Sequence, residues 1–490
     1  MNEELEYSRV FSWRFTMSEK VRWERDSLGE LAVPSAAYYG IQTLRAMQNF
    51  PISAQTNPNS MVTAVVRIKK AAAGVHEDID FLDRSKSRAI IQACDEILAG
   101  KMRDQFKVDV FQMGAGTAFH MNCNEVIANR AEEVLGGVKG EYKLIHPNDH
   151  VNMGQSTNDI FPTAMRLAVL SLLEERLYMA LDAMAGSFQS KAVEFDKVIK
   201  SGRTHLQDAV PIRLGQEFGA YGKAVELGRT FLVGAARSLL YLGIGGSAVG
   251  TGLNTTADYP RMMIQKLSDQ TGFSLLPSED LREAMQSMRP FTEVSAALRN
   301  IALELTRIAN DLRLLCSGPR TGLAEITVPS VAPGSSAMPG KVNPSMLEML
   351  NMVCYQIIGC DGVIAGAAQA GQLELNVMMP VIVYNLDFMI RILANALKEV
   401  RVRCVDGIEA DVERCRQYAE RSQSLVTALI PHIGYAKAAE VARSAFEERT
   451  TLREVLEREG LLTGENLDNI LNPFKMTEPG VADKSRKKDT

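Results

Sequence analysis

Residues 292–316 read TEVSAALRNIALELTRIANDLRLLC, and this stretch decides the architecture. Apolar residues fall at Val294, Leu298, Ile301, Leu305, Ile308, Leu312 and Leu315, in steps that alternate four and three. That is an a/d seam of three heptads, so a helix here must lie along a partner helix for most of its length. Working outward, further long helices are predicted over residues 162–187, 212–242, 345–370 and 377–404. Pro162 near one helix start and Pro380 in the first turn of another are tolerated there. The fold class expected is mainly α. Met165, Leu167, Val169, Leu170, Leu172 and Leu173 cover most of a helical wheel. A helix apolar all round is buried on every side, which favours a bundle completed by other subunits over a large single-chain core.

Composition changes on either side of the helical region. Residues 18–156 carry frequent proline and glycine and read as a loop-rich N-terminal domain. Residues 157–411 form the predicted helical-bundle domain, and 412–490 a more polar helical domain. Its basic end, Lys484-Ser485-Arg486-Lys487-Lys488, reads as a solvated tail. Residues 1–17 are a predicted extension; Glu3, Glu4 and Glu6 interrupt any apolar core, making a poor secretion signal, and Met17 is a candidate start.

A net charge of −5 gives no electrostatic reason to bind nucleic acid, although anionic small molecules remain open to a local cluster of donors. Seven cysteines, an odd number without a CxxC pair, suggest neither a disulfide framework nor a zinc site. A reducing, cytoplasmic setting fits. Of the six histidines only His146 and His150 stand four apart, and one such pair without a further ligand set leaves no metal expected. The longest apolar run, Val377–Tyr384, is eight residues with a proline inside, and no membrane span is expected.

Four polar segments stand out from this background. They are Gly114-Ala115-Gly116-Thr117 leading into His120–Glu125, His146–His150 leading into Gln155-Ser156-Thr157-Asn158-Asp159, Gly202–Asp208 with Thr204 and His205, and Gly334–Pro344. Each has a plain structural reading. Ser156, Thr157 and Asn158 are ordinary helix caps before an opening near Pro162. Thr204-His205 could be a buried polar pair under a turn, and the glycine- and proline-rich fourth segment only a surface loop. Together they supply hydroxyls, amides, one lysine and, beside Thr204, the histidine His205. Hydroxyl and amide donors with a helix N-terminus bind carboxylates, and Lys341 adds positive charge. A site that grips two carboxylates can also stabilise the dianion formed when a proton leaves the carbon beside one of them. Elimination across a dicarboxylic acid follows.

Residues Gly334–Asn343, Gly-Ser-Ser-Ala-Met-Pro-Gly-Lys-Val-Asn, match at all seven fixed positions the ten-residue signature of the aspartase/fumarase superfamily. The chain resembles that family from about Trp23 to Ala482, with Glu24–Glu30, Ala37–Gly40, Ser317–Arg320 and Gly371–Asn376 falling in the same order. The resemblance implies a three-domain, mainly α fold whose central helices assemble in a homotetramer, each active site drawing loops from three subunits. It implies Ser335, on a mobile loop, as the general base, with backbone N–H groups of Ser336 to Gly340 as donors to its alkoxide. Lys341 and Asn343 would bind one carboxylate; Thr117, Ser156, Thr157 and Asn158 would hold the other and the leaving-group end. Thr204 and Ser336 line the site, and His205 is oriented by Glu348. No cofactor is implied, because the substrate's own carboxylate takes the electrons.

The leaving group is the open point. Gly114–Thr117 and Gln155–Asp159 resemble the aspartases, whereas class II fumarases usually show Ser-Gly-Thr and Ser-Ser-Asn there, so release of ammonia from L-aspartate is expected ahead of hydration of fumarate. Ala118, His120, Cys123, Ala337 and Cys360 depart from the family's pattern, as neutral drift or as an altered amine preference for a substituted aspartate. A catalytically silent crystallin-like role is disfavoured by the presence of Ser335, Lys341, Asn343, Thr204 and His205.

Overall fold

The computed structural model describes residues 20–481. The extension 1–17 with Met17 and the basic end Lys484–Lys488 lie outside the described residues. Among the described residues the chain is mainly helical, and its strands form four two-stranded sheets. The decisive stretch is a helix of 27 residues, Arg289–Leu315, about 40 Å long at 1.5 Å per residue. All seven seam positions, from Val294 to Leu315, are buried. The other predicted long helices are Leu214–Ala236, Ser345–Ala368 and Met379–Arg403.

The helix expected to open near Pro162 instead begins at Thr157. A capping box moves the start: Asn158 N donates to Ser156 Oγ at 3.2 Å, and Ser156 N donates to the Asp159 carboxylate at 3.0 Å. Pro162 therefore sits inside the helix, where its missing N–H forgoes one backbone bond. The apolar wheel from Met165 to Leu173 also has another explanation than partner subunits. Met165, Leu167, Val169, Leu170, Leu172 and Leu173 are all buried within the chain itself. A single-chain core accounts for them.

The chain divides into two compact units, each made of separate segments. One comprises residues up to Tyr178 with Thr230–Asn300 and Gln356–Leu393. Within it, helix Asn59–Asp78 packs against Arg84–Leu98, Thr157–Leu172 and Tyr259–Thr271. The buried face of helix Asn59–Asp78 is apolar from Met61 to Val75 with one exception: Lys69 is fully buried. The other unit comprises Met179–Arg229, Ile301–Tyr355 and the residues from Ala394 onward. It holds the hairpin Ile199–Thr204 and Gln207–Arg213, against which helix Val412–Arg421 packs. Its last segment has a small core of its own, including Leu429, Val441, Val455, Leu456 and Leu467.

By length and mean hydropathy, helices Ser345–Ala368 and Met379–Arg403 reach what a membrane crossing requires, which the eight-residue apolar run did not anticipate. In the second, 67% of the apolar window is buried inside the chain, as in a core helix. The first is only 39% buried and carries Asp361, which takes Ser295 Oγ at 2.6 Å and Arg299 Nη1 at 2.9 Å.

Candidate active site

Thr117 opens helix Thr117–Val134 directly after the Gly114-Ala115-Gly116 turn. Gly116 has φ +83°, and a Cβ there would lie 2.1 Å from the Phe161 ring, so only glycine fits. Ala115 N donates to Val377 O at 2.8 Å, fixing the turn and with it the half-buried threonine. Ser156, Thr157 and Asn158 form the start of helix Thr157–Leu172. The cap assignment from sequence holds for Ser156. Thr157 Oγ1, however, lies 2.7 Å from His120 Nδ1, which joins the two segments. Asn158 Nδ2 donates to Ala248 O at 2.8 Å.

Two buried charges support this end. Asp159 accepts backbone N–H bonds from Ser156, Gly245 at 2.9 Å and Ser247 at 3.2 Å, and burial pushes its carboxyl up to about 6. Lys69 donates to Asn152 Oδ1 and Gln155 Oε1, both at 2.8 Å, and so holds the turn leading into Ser156. Burial pulls its ammonium down from 10.5 to about 7. Between those values the folded chain has lost a proton that the unfolded chain keeps, so unfolding takes one up and stability rises with pH. The contribution disappears as pH falls through about 7. Lys69→Met is expected to remove this dependence, so that wild type gains on it by about 1 kcal/mol per pH unit across the window. Calorimetry at a series of pH values measures the gap, and parallel curves would contradict it.

In the other unit, Thr204 and His205 stand at the tip of the hairpin. Thr204 pairs with Gln207, leaving His205 (φ 54°) and Leu206 (φ 60°) as a two-residue turn with both residues left-handed. Glycine or asparagine usually occupies such positions, and each non-glycine residue there costs roughly 1–2 kcal/mol. Both site residues are exposed, not a buried polar pair. Beneath the tip, Glu325 is fully buried and accepts Arg203 Nη1 at 2.8 and 3.0 Å. Lys200 Nζ lies 3.3 Å from Glu325 and donates to Glu217 at 2.8 Å.

The signature segment closes on itself. Gly334 N donates to Lys341 O at 2.8 Å, and Asn343 Nδ2 to Gly334 O at 2.6 Å. Inside this ring Ser335 Oγ accepts two backbone N–H bonds, from Ala337 at 3.2 Å and Met338 at 2.9 Å. Two of the donors anticipated for an alkoxide therefore already face the serine oxygen. Ser336 and Lys341 are exposed on the loop, and Glu348 lies half-buried on the following helix. Among the described residues, neither His205 nor Glu348 has a side-chain partner within this chain, so their expected pairing is not formed in it.

A family model described as Lyase matches residues 29–359, well over half of the chain, and one described as Fumarase C C-terminus matches 425–478. The chain belongs to the aspartase/fumarase superfamily of lyases. It is an enzyme of that superfamily, and its helical architecture is the superfamily's. An aspartate ammonia-lyase of Bacillus subtilis is 48% identical over 95% of this chain and 98% of its own length. A class II fumarate hydratase of Nitrosomonas europaea is 43% identical over 94% of this chain and 100% of its own. A solved Brucella melitensis structure described as fumarate lyase:delta crystallin, bound to cobalt, superposes with a TM-score of 0.91 at 48% identity, covering 94% of this chain and 100% of that one.

Two buried charges behind these segments, Lys69 and Glu325, did not stand out in the sequence, and Asp159 did so only as the end of the second polar segment. Lys69 and Glu325 hold polar side chains from distant segments, and Asp159 ties its own cap to the distant Gly245 and Ser247 backbone. Glu325, a single charge within Leu323–Val328, carried a signal, because a fully buried charge requires such partners, whereas Lys69, beside Arg67 and Lys70, carried none.

Proposed function

We propose that the protein is an aspartate ammonia-lyase, converting L-aspartate reversibly to fumarate and ammonia. The observation that carries the chemistry is the pair of N–H bonds from Ala337 and Met338 to Ser335 Oγ. A serine alkoxide is a strong enough base for a C–H only where preorganised donors lower its energy, and these two come with the loop's own fold. Ser335 takes the proton from C3, and the electrons pass into the adjacent carboxylate to give the aci-carboxylate dianion. Collapse of that dianion breaks the C2–N bond, the bonding pair leaves on ammonia, and the C2–C3 double bond of fumarate remains. Lys341 and Asn343 bind one carboxylate; Thr117, Ser156, Thr157 and Asn158 hold the other with the amine; Ser336, Thr204 and His205, paired with Glu348, complete the site.

The unpaired state of His205 and Glu348 in a single chain supports a site assembled from three subunits of a homotetramer. So do large apolar side chains left exposed on the long helices, including Phe231 at 71%, Met352 at 67% and Tyr355 at 57%. Seven free cysteines, six of them buried, suit a reducing compartment such as the cytoplasm.

Gly114–Thr117 and Gln155–Asp159 favour ammonia as the leaving group. The competing reading is fumarate hydratase, whose relatives match at nearly the same identity. Purified protein offered L-aspartate or L-malate is followed by the ultraviolet absorbance of fumarate. Aspartate is expected to turn over with kcat/KM at least about 100-fold above malate, the discrimination available when buried polar groups are matched to one leaving group. Faster turnover of malate would reverse the assignment.

A further inference from the structure

His120 lies one helical turn beyond Thr117 and is 1% exposed. Its Nδ1 meets Thr157 Oγ1 at 2.7 Å, while its Nε2 is buried with no hydrogen-bonding partner among the described residues. Burial, with the Lys69 ammonium nearby, holds the ring neutral by pushing its pKa well below the usual histidine range. A neutral imidazole has a single N–H. Placed on Nε2, that proton would be a buried donor with nothing to accept it, at a cost of about 1–3 kcal/mol. Placed on Nδ1, it is donated to the threonine oxygen, and Nε2 keeps only a lone pair, the less costly group to leave unpaired.

We infer that His120 is a positioning residue: by donating Nδ1–H to Thr157 Oγ1 it turns the threonine hydroxyl into an obligate donor toward the bound diacid. With one lone pair engaged by the imidazole, the O–H proton of Thr157 is directed away from the ring. A carboxylate accepts and never donates, so a hydroxyl locked as donor binds it better than one free to rotate. His120 touches no reacting atom in this scheme. Its whole effect passes through Thr157.

The inference rests on Thr157 binding the substrate, as proposed above, and a double-mutant cycle tests it. Fumarate, the product common to both leaving-group readings, serves as the probe, with its Kd measured calorimetrically for wild type, His120→Leu, Thr157→Val and the double variant. His120→Leu is expected to weaken fumarate about 10-fold, which corresponds to one hydrogen bond to a charged group. In the Thr157→Val background the same change should alter Kd by less than about 2-fold, since the relay is already cut. His120→Asn, which restores an N–H donor at the δ position, should return Kd to within about 3-fold of wild type. For L-aspartate the His120→Leu loss should appear in KM more than in kcat, because the contact is made in both ground and transition states.

Multiplicative effects in the cycle, or no rescue by asparagine, would overturn the inference and leave His120 a packing residue. A wild-type protein that binds fumarate but turns over only malate would overturn the aspartate reading and leave the cycle intact. A wild-type protein that does not bind fumarate would overturn both.

Discussion

Ser335→Ala is expected to lower kcat for L-aspartate by at least about 10³-fold, within the range for loss of a general base, while fumarate still binds. The direction follows from what the loop supplies without the hydroxyl. Gly334 N to Lys341 O and Asn343 Nδ2 to Gly334 O still close the ring, so the Ala337 and Met338 N–H groups keep their places. They lose the oxygen they were aimed at. The remaining donors can still hold a diacid, but no atom is left to take the C3 proton. A Kd for fumarate within a few-fold of wild type, together with an unchanged oligomer, separates this loss from collapse of the loop. Near-normal turnover by the variant would remove Ser335 as the base and send the search to His205.

The helical frame was legible because its signal is periodic. A seam from Val294 to Leu315 can be buried in one way only, and every seam residue is buried. Boundaries were less legible where short-range capping competes with proline: Ser156 and Asp159 form a reciprocal box that outweighs Pro162, so the helix starts earlier than the proline suggested. The wheel from Met165 to Leu173 shows a second limit. All-round apolarity says that a helix is covered and not by what, and here the cover comes from the same chain. Within the candidate site, the combined donors of the four polar segments pointed to elimination across a diacid, and the Gly334–Asn343 signature to the family. Backbone donors to Ser335 were anticipated over Ser336 to Gly340 through the resemblance. Which of them face the oxygen could not be read, because Ala337 and Met338 act through N–H groups that any residue but proline would provide. Nor could the hairpin tip, since a two-residue turn with both residues left-handed is signalled by glycine or asparagine, and His205-Leu206 contains neither.

That strained tip leads to the second large effect: Glu325→Gln is expected to destabilise its unit by about 3–5 kcal/mol, the cost of leaving a buried charge uncompensated. Glu325 faces two cations at once, Arg203 at 2.8 Å and Lys200 at 3.3 Å. Lys200 keeps Glu217, but among the described residues Arg203 has no other carboxylate and is held otherwise by Ser201 O at 3.5 Å and the Tyr418 ring, 5.6 Å away. Arg203 immediately precedes Thr204 in the strand, so releasing it frees the tip to relax the positive φ angles of His205 and Leu206. Activity should therefore fall together with stability, by about 10-fold or more if the tip shifts by as little as an ångström. Replacing Arg203 and Glu325 together by methionine separates the two losses. No unpaired charge then remains beside the Lys200–Glu217 pair, so most of the stability should return, whereas the tip stays unpinned and turnover stays low. Denaturant unfolding and steady-state rates on the same three proteins decide it. Recovery of activity in step with stability would mean that the buried cluster supports the fold alone and has no hold on the hairpin tip.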